Sequence, residues 1–263
     1  MSGGATWDDL APRVLAGIAM AVVGIGALVA GGVWIAALAV LLAGLMIWEL
    51  AAMTAPARPG EARILGLLAA LAMVAILWRH APLMLALVAL PGVAGALRSR
   101  RDRIVFVIYA TAAMIAAYGV VALREGLGLA VILWLVAVVV ASDVLGYFGG
   151  RMLGGPKFWP RISPKKTWSG TVAGWVGAAL VGLAFTAAAG APGWLFALSA
   201  LVAFAGQMGD IAESAIKRRL GVKDSSRLIP GHGGVLDRFD AIIGAVLFVI
   251  LWGLVLPLPQ FGG

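Results

Sequence analysis

Two stretches hold most of the residues that can do chemistry: SDVLGYFGGRMLGGPKFWPRISPKKTWSG at 142–170 and GQMGDIAESAIKRRLGVKDSSRLIPGHGGVLDRFD at 206–240. Both mix carboxylates with lysines and arginines. Asp143, Asp210, Asp237 and Asp240 are hard oxygen donors, and cations surround them in the sequence. That combination suits a metal-bound polyphosphate, whose cation needs oxygen ligands and whose phosphates need positive charge.

Within the first stretch, Asp143, Tyr147 and Arg151 recur every four residues, which places them on one face of a helix. An acid at the end of an apolar helix is costly unless it is hydrated, bound to a cation or paired, and Arg151 is one available partner. Gly146 and Gly150 leave room for a close helix approach. Lys157, Arg161, Lys165 and Lys166 follow, and Ser163-Pro164 breaks the chain before Thr167, Ser169 and Gly170 open another helix. A helix N-terminus with lysines beside it can cradle phosphate, although a basic loop also serves as a topology signal.

In the second stretch, Asp210, Glu213, Ser214 and Lys217 share a helical face, and Gly221 marks a helix end. The run Pro230-Gly231-His232-Gly233-Gly234 forces an irregular backbone. Asp237 and Asp240 then fall at i and i+3 around the first turn of the last helix, where the dipole favours negative charge and capping alone could explain either one. His232 fits a general base or a ring that fixes the turn, and the residues leave both open. His80 reads as an ordinary interfacial residue. Glu49 is either a packed partner for a loop arginine or a site residue.

The elements that must position these groups are apolar. Of 263 residues, 62% are hydrophobic and 12% charged, and the mean hydropathy is +1.03, which is a membrane composition. Strand-like alternation is absent, which argues against a β-barrel. The expected fold is all-α and polytopic, a single membrane domain over 1–263 with about nine transmembrane helices at 14–31, 33–53, 63–79, 81–97, 104–123, 127–148, 171–189, 193–210 and 241–257. The third and fourth spans are the least clearly marked in the sequence. The N-terminal MSGGATWDDLAPR has acids where a secretory signal has positive charge, so the first helix is expected to be retained.

Taken alternately, the connections put 18 of the 20 Lys and Arg residues on one side, leaving Arg79 and Arg124 on the other. By the positive-inside rule the N-terminus is then cytoplasmic and both polar stretches face the cytoplasm. The net charge of +8 becomes a surface for anionic head groups and phosphates, with no need of nucleic acid. The absence of cysteine removes disulfides, thiolate nucleophiles and thiolate metal sites.

With these residues in view, the chain resembles the phosphatidate cytidylyltransferase (CDP-diacylglycerol synthase) family. That family's C-terminal signature is matched by Ser214, Lys217, Arg218, Lys223, Asp224, Ser226, Pro230, His232, Gly233, Gly234, Asp237, Arg238 and Asp240. Its upstream pattern is similar to Asp143, Tyr147, Gly150, Arg151, Ser163, Pro164, Lys166 and Thr167, with Gly146 in place of alanine and Ser169 where relatives often carry Glu or Gln. The strong resemblance covers 141–245.

The resemblance implies that CTP and phosphatidate give CDP-diacylglycerol and pyrophosphate at the cytoplasmic face of a bacterial inner membrane. It also implies Mg²⁺, with a second cation left open, and suggests a homodimer. Asp210, Asp237 and Asp240 are the expected metal ligands. Asp210, Asp237, Lys217, Arg218 and His232 are the expected catalytic group. Asp143, Tyr147, Arg151, Ser163, Lys165, Lys166, Thr167, Ser214, Lys223, Asp224 and Arg238 are expected to bind substrate. Polyprenol kinases and ether-lipid cytidylyltransferases share parts of this logic. A transporter would instead place polar groups at the midplane of paired, interrupted helices, and here the outer halves of nearly all spans carry no charge.

Overall fold

The structure is a computed structural model that describes residues 7–79 and 82–261, with side chains from residue 14 onward. His80 lies outside the described residues, as does the extreme N-terminus. Among the described residues, nine α-helices carry the fold: α1 (Trp7–Ala30), α2 (Gly32–Thr54), α3 (Pro59–Arg79), α4 (Leu90–Ala96), α5 (Arg103–Leu127), α6 (Leu129–Leu153), α7 (Trp168–Ala189), α8 (Leu195–Leu220) and α9 (Leu236–Gly253). Helices are the economical way to bury such runs, because each satisfies its own backbone hydrogen bonds where no water is present.

Six of them, α2, α3, α5, α6, α7 and α8, are long and apolar enough to cross a membrane. The expected fourth span is not one long helix. It is a 3-10 segment, Pro82–Ala89, followed by the short α4, which has Pro91 near its start. Large apolar side chains face outward, with Val33 73% and Trp78 79% exposed, while Trp134 and Phe106 are fully buried. An outward apolar surface of this extent is what a helical bundle offers to lipid.

The all-α expectation holds for the fold class, and one short hairpin is added to it. Residues 157–167 form an antiparallel hairpin of β1 (Lys157–Trp159) and β2 (Ser163–Thr167). The register breaks between Lys157 and Trp159, and Phe158 packs edge-on against Trp168 at 4.6 Å between ring centroids. The segment is too short and polar for alternation to reveal it.

The chain divides into two compact units. The first comprises residues up to Met114 together with Leu220–Phe239. In it α2 crosses α3 closely at Gly44 and Gly66; a Cβ on Gly44 would stand 3.2 Å from the Gly66 carbonyl oxygen. The buried guanidinium of Arg100 pairs with Glu61 and donates to Thr54 Oγ1 (2.9 Å) and to the Gly95 carbonyl (2.7 Å). It also lies 3.9 Å over the Phe106 ring. Burial lowers the pKa of Arg100, and the Glu61 charge opposes that shift.

The second unit comprises Ile115–Arg219 and Asp240 onward. Its central seam is α6 against α7, where a Cβ on Gly146 would stand 3.2 Å from the Gly170 carbonyl oxygen. The glycines of the sequence motif are thus consumed by packing inside one chain. Trp134 Nε1 donates to Ser199 Oγ at 2.9 Å and fixes α6 to α8.

Candidate active site

The α6–α7 seam opens, on the hairpin side, into a cavity of about 460 Å³. That is within the usual range for small-molecule sites. Asp143, Tyr147 and Arg151 enter it from one face of α6, as their spacing predicts, and Lys165, Lys166 and Thr167 enter from β2. Six of the expected substrate-binding residues therefore line one cavity. Ser163 is not among them; it opens β2 opposite Trp159.

Local contacts hold this wall in place. Arg151 Nη1 donates to the Tyr147 hydroxyl at 2.8 Å. Thr167 is the N-cap of α7, its hydroxyl accepting from the Gly170 N–H at 3.2 Å. Ser169 shares a 3.0 Å hydrogen bond with Thr167 and donates to the Gly154 carbonyl, so it closes the base of the hairpin. Lys166 Nζ lies 2.5 Å from Asp210 Oδ2, and Ser214 Oγ donates to Asp210 Oδ1 at 3.2 Å.

Asp240 completes this group, within electrostatic reach of Asp210, Asp143 and Lys217. Lys217 is buried and paired with the fully buried Glu213, one helical turn away, whereas Arg218 is exposed. The cavity also has a polar lining that sequence reasoning missed. Trp175 Nε1 donates to Gln207 Oε1 (2.9 Å), which turns the Gln207 amide nitrogen toward Ser142 Oγ (3.2 Å) and the Thr171 carbonyl (3.3 Å). A lone amide within an apolar helix was the available signal.

The other half of the signature belongs to the first unit. Asp237 Oδ2 accepts hydrogen bonds from Ser225 N (2.9 Å), Ser225 Oγ (2.9 Å) and Gly234 N (2.7 Å). The turn 229–233 is closed by Ile229 N–H to the Gly233 carbonyl at 2.8 Å, with Gly233 at φ +87°, a conformation costly for other residues. His232 Nδ1 faces the Pro230 carbonyl at 3.3 Å, a contact of the kind that fixes a turn. Lys223, Asp224 and Arg238 are exposed.

Glu49 is the residue left undecided by the sequence. It is fully buried, and the partners that it meets are Ser225, Ser226 and the backbone N–H groups of Val235 and Leu236, not a loop arginine.

Among the described residues, no three carboxylate or imidazole side chains are grouped tightly enough to enclose a metal ion as they stand. The chemistry of the donor set nevertheless fits a hard divalent cation. Asp210 and Asp143 both act electrostatically on Asp240; all three carry the hard oxygen donors that such a cation takes, and Lys217 and Lys166 offset part of their charge.

A cytidylyltransferase family model matches residues 11–255. The chain belongs to the cytidylyltransferase family. It is 46% identical over 138 residues, 52% of its length, to a phosphatidate cytidylyltransferase of Brucella abortus biovar 1 (strain 9-941), covering 51% of that protein. To the phosphatidate cytidylyltransferase of Helicobacter pylori (strain ATCC 700392 / 26695) it is 44% identical over 122 residues, 46% of each chain. To that of Bacillus subtilis (strain 168) it is 40% identical over 125 residues, again 46% of each chain. The matched region thus spans about half the length of these relatives.

Proposed function

We propose that the chain transfers the cytidylyl group of CTP to phosphatidate, forming CDP-diacylglycerol and pyrophosphate. The observation that carries this reading is the cavity lined by Asp143, Arg151, Lys165, Lys166 and Thr167, in a chain of this family. A phosphate oxygen of phosphatidate forms the new bond to the α-phosphorus of CTP. The bond from that phosphorus to the bridging oxygen breaks, and the electron pair leaves with pyrophosphate.

The attacking oxygen is already ionised and needs little help from a base. The main tasks are to neutralise two anions and hold them in line. Lys165, Lys166 and Arg151 supply the neutralising charge, and Thr167 and the first turn of α7 offer polar contacts for phosphate. Lys223, Arg218 and Arg238 are exposed cations suited to the leaving pyrophosphate or the lipid head group.

Asp210 and Asp240, with Asp143, would hold Mg²⁺. Asp237 is proposed as a further ligand on the strength of the Asp-Arg-x-Asp signature rather than its place in the fold. When bound, the cation would offset charge on the triphosphate and favour departure of pyrophosphate. A second cation is a further expectation of the same signature.

The charge partition supports nine crossings, a cytoplasmic N-terminus and catalysis at the inner leaflet of a bacterial inner membrane. The diacyl chains then need not leave the bilayer. Homodimerisation is expected from the resemblance alone. The glycine pairs Gly146/Gly150 and Gly170/Gly174 do not argue for it, because α6, α7 and Gln207 already occupy their faces.

Purified protein in detergent, given labelled CTP, phosphatidate and Mg²⁺, should release pyrophosphate and yield lipid-linked CMP. Formation of CDP and a phosphorylated polyprenol, or of no lipid product, would overturn the assignment. A CDP-lipid formed only from an ether-linked glycerol acceptor would reassign the lipid substrate.

A further inference from the structure

Glu49 sits near the end of α2, with 0% of its surface exposed. Among the described residues no lysine or arginine pairs with it. Its carboxylate instead accepts four hydrogen bonds from one short segment of chain far along the sequence. Oε1 receives Ser226 Oγ at 2.6 Å and Val235 N at 2.9 Å; Oε2 receives Leu236 N at 2.7 Å and Ser225 Oγ at 3.1 Å.

Leu236 opens α9, and the first N–H groups of a helix have no partner within it. A local Ser or Asp could cap them without burying a charge. Here a carboxylate from another helix performs that task, and its burial is tolerable only because charge-assisted bonds surround it. The arrangement therefore does more than cap α9: it fixes the 225–236 segment onto α2.

The segment fixed in this way is the one that holds Asp237. Ser225 Oγ lies 3.1 Å from Glu49 Oε2 and 2.9 Å from Asp237 Oδ2, so the two carboxylates share the one proton of that hydroxyl. Gly234 N donates to Asp237, and a Cβ at Gly234 would run into Ser225 Oγ and the Glu49 carboxylate. The second glycine of the signature pair, Gly234, thus has a steric reason that Ser225 and Glu49 supply together.

We propose that Glu49 is a positioning residue for the reaction, setting the orientation of Asp237 through Ser225 and the 234–236 backbone. Its kinetic consequence rests on the cytidylyl-transfer reading, whereas the geometric part stands without it. The N-terminal half of the chain, which lies outside the 141–245 signature region, would then contribute directly to the order of the signature loop.

Glu49→Gln replaces one acceptor oxygen by a donor, opposing at least one Ser hydroxyl or backbone N–H, while keeping the size of the side chain. In wild-type, Glu49→Gln, Ser225→Ala and doubly substituted protein, two readouts would be taken: steady-state kinetics over a Mg²⁺ titration, and amide hydrogen exchange. For Glu49→Gln, kcat should fall about 10²-fold, as for a misplaced group at a reacting centre. The Mg²⁺ concentration for half-activation should rise on the order of tenfold.

Faster exchange should be confined to residues 224–237, and the double variant should lose little more than the worse single one, since both break one network. Wild-type turnover and Mg²⁺ dependence in Glu49→Gln would overturn the proposal. So would faster exchange spread evenly through α2 and α3, which marks Glu49 as packing alone, or fully additive losses in the double variant. Should the wild-type protein form no CDP-diacylglycerol, the functional reading falls and the exchange pattern alone decides the positioning role.

Discussion

Lys166 Nζ stands 2.5 Å from Asp210 Oδ2 and so ties the hairpin strand β2 to α8, with both side chains only partly exposed. As a plain surface ion pair this contact would contribute about 0–1 kcal/mol and tolerate exchange of its charges. The proposed function assigns the two partners different tasks, Lys166 meeting phosphate and Asp210 the divalent cation. Lys166→Met should therefore lower kcat/KM on the order of 10²-fold, as loss of a charged group facing the reacting phosphates does. The charge-swapped double variant Lys166→Asp/Asp210→Lys should not recover activity. Recovery in the swap would reduce the pair to a structural clasp.

Asp237 can be divided into two roles by the choice of replacement. Its Oδ2 accepts three hydrogen bonds from Ser225 and Gly234. Asparagine keeps an acceptor oxygen and loses the charge; alanine loses both. Asp237→Asn should retain the loop, judged by amide exchange over 224–237, while Mg²⁺-dependent turnover falls about 10- to 100-fold. Asp237→Ala should also loosen the loop. Near-normal turnover and an unchanged Mg²⁺ dependence in the asparagine variant would remove Asp237 from the metal ligands.

How much of this was legible beforehand varies from one residue to the next, for physical reasons. The four-residue spacing of Asp143, Tyr147 and Arg151 fixed their common face, because helical periodicity is a local property. The apolar runs located the helices for the same reason. The 3-10 start of the fourth run was not legible, since hydropathy reports burial in lipid and not the hydrogen-bond pattern within it. The β1–β2 hairpin escaped because its register is set by pairing and a bulge rather than by alternation.

Glu49 and Gln207 were visible as polar residues inside apolar helices, and an intramembrane acid is a functional candidate by default. Their partners lie far away in sequence: Ser225 and Val235 for Glu49, Ser142 and Thr171 for Gln207. No spacing rule connects such positions. Ser169 was conspicuous as a departure from the family pattern, yet its task, closing the hairpin onto Gly154, depends on a hairpin that the sequence did not announce.

The α6–α7 seam makes a prediction that is read in stability rather than in turnover. A Cβ on Gly170 would stand 3.2 Å from backbone atoms of Gly150, in addition to meeting the Gly146 carbonyl, and backbone cannot yield as a side-chain tip can. Gly170→Ala should cost about 1–3 kcal/mol of overpacking and lower the thermal midpoint in detergent by several degrees. Gly126→Ala is the control, because nothing lies within 4 Å of a Cβ there. A midpoint for Gly170→Ala equal to that of the control would mean that the seam can open without cost.

Orientation can be measured directly, because the chain has no cysteine and any introduced thiol is unique. The charge partition puts Arg161, in the β1–β2 turn, on the cytoplasmic side, and Glu125, at the end of α5, on the opposite side. Both positions are exposed, so access to a reagent depends on the side of the membrane rather than on burial. In intact cells of a host whose outer membrane passes small solutes, an impermeant maleimide should label Glu125→Cys. Arg161→Cys should react only after the inner membrane is opened. The reverse pattern would place the cavity away from cytoplasmic CTP and contradict both the orientation and the proposed reaction. Labelling of both thiols in intact cells would mean that Glu125 and Arg161 share the outer side, so that α6 does not cross between them.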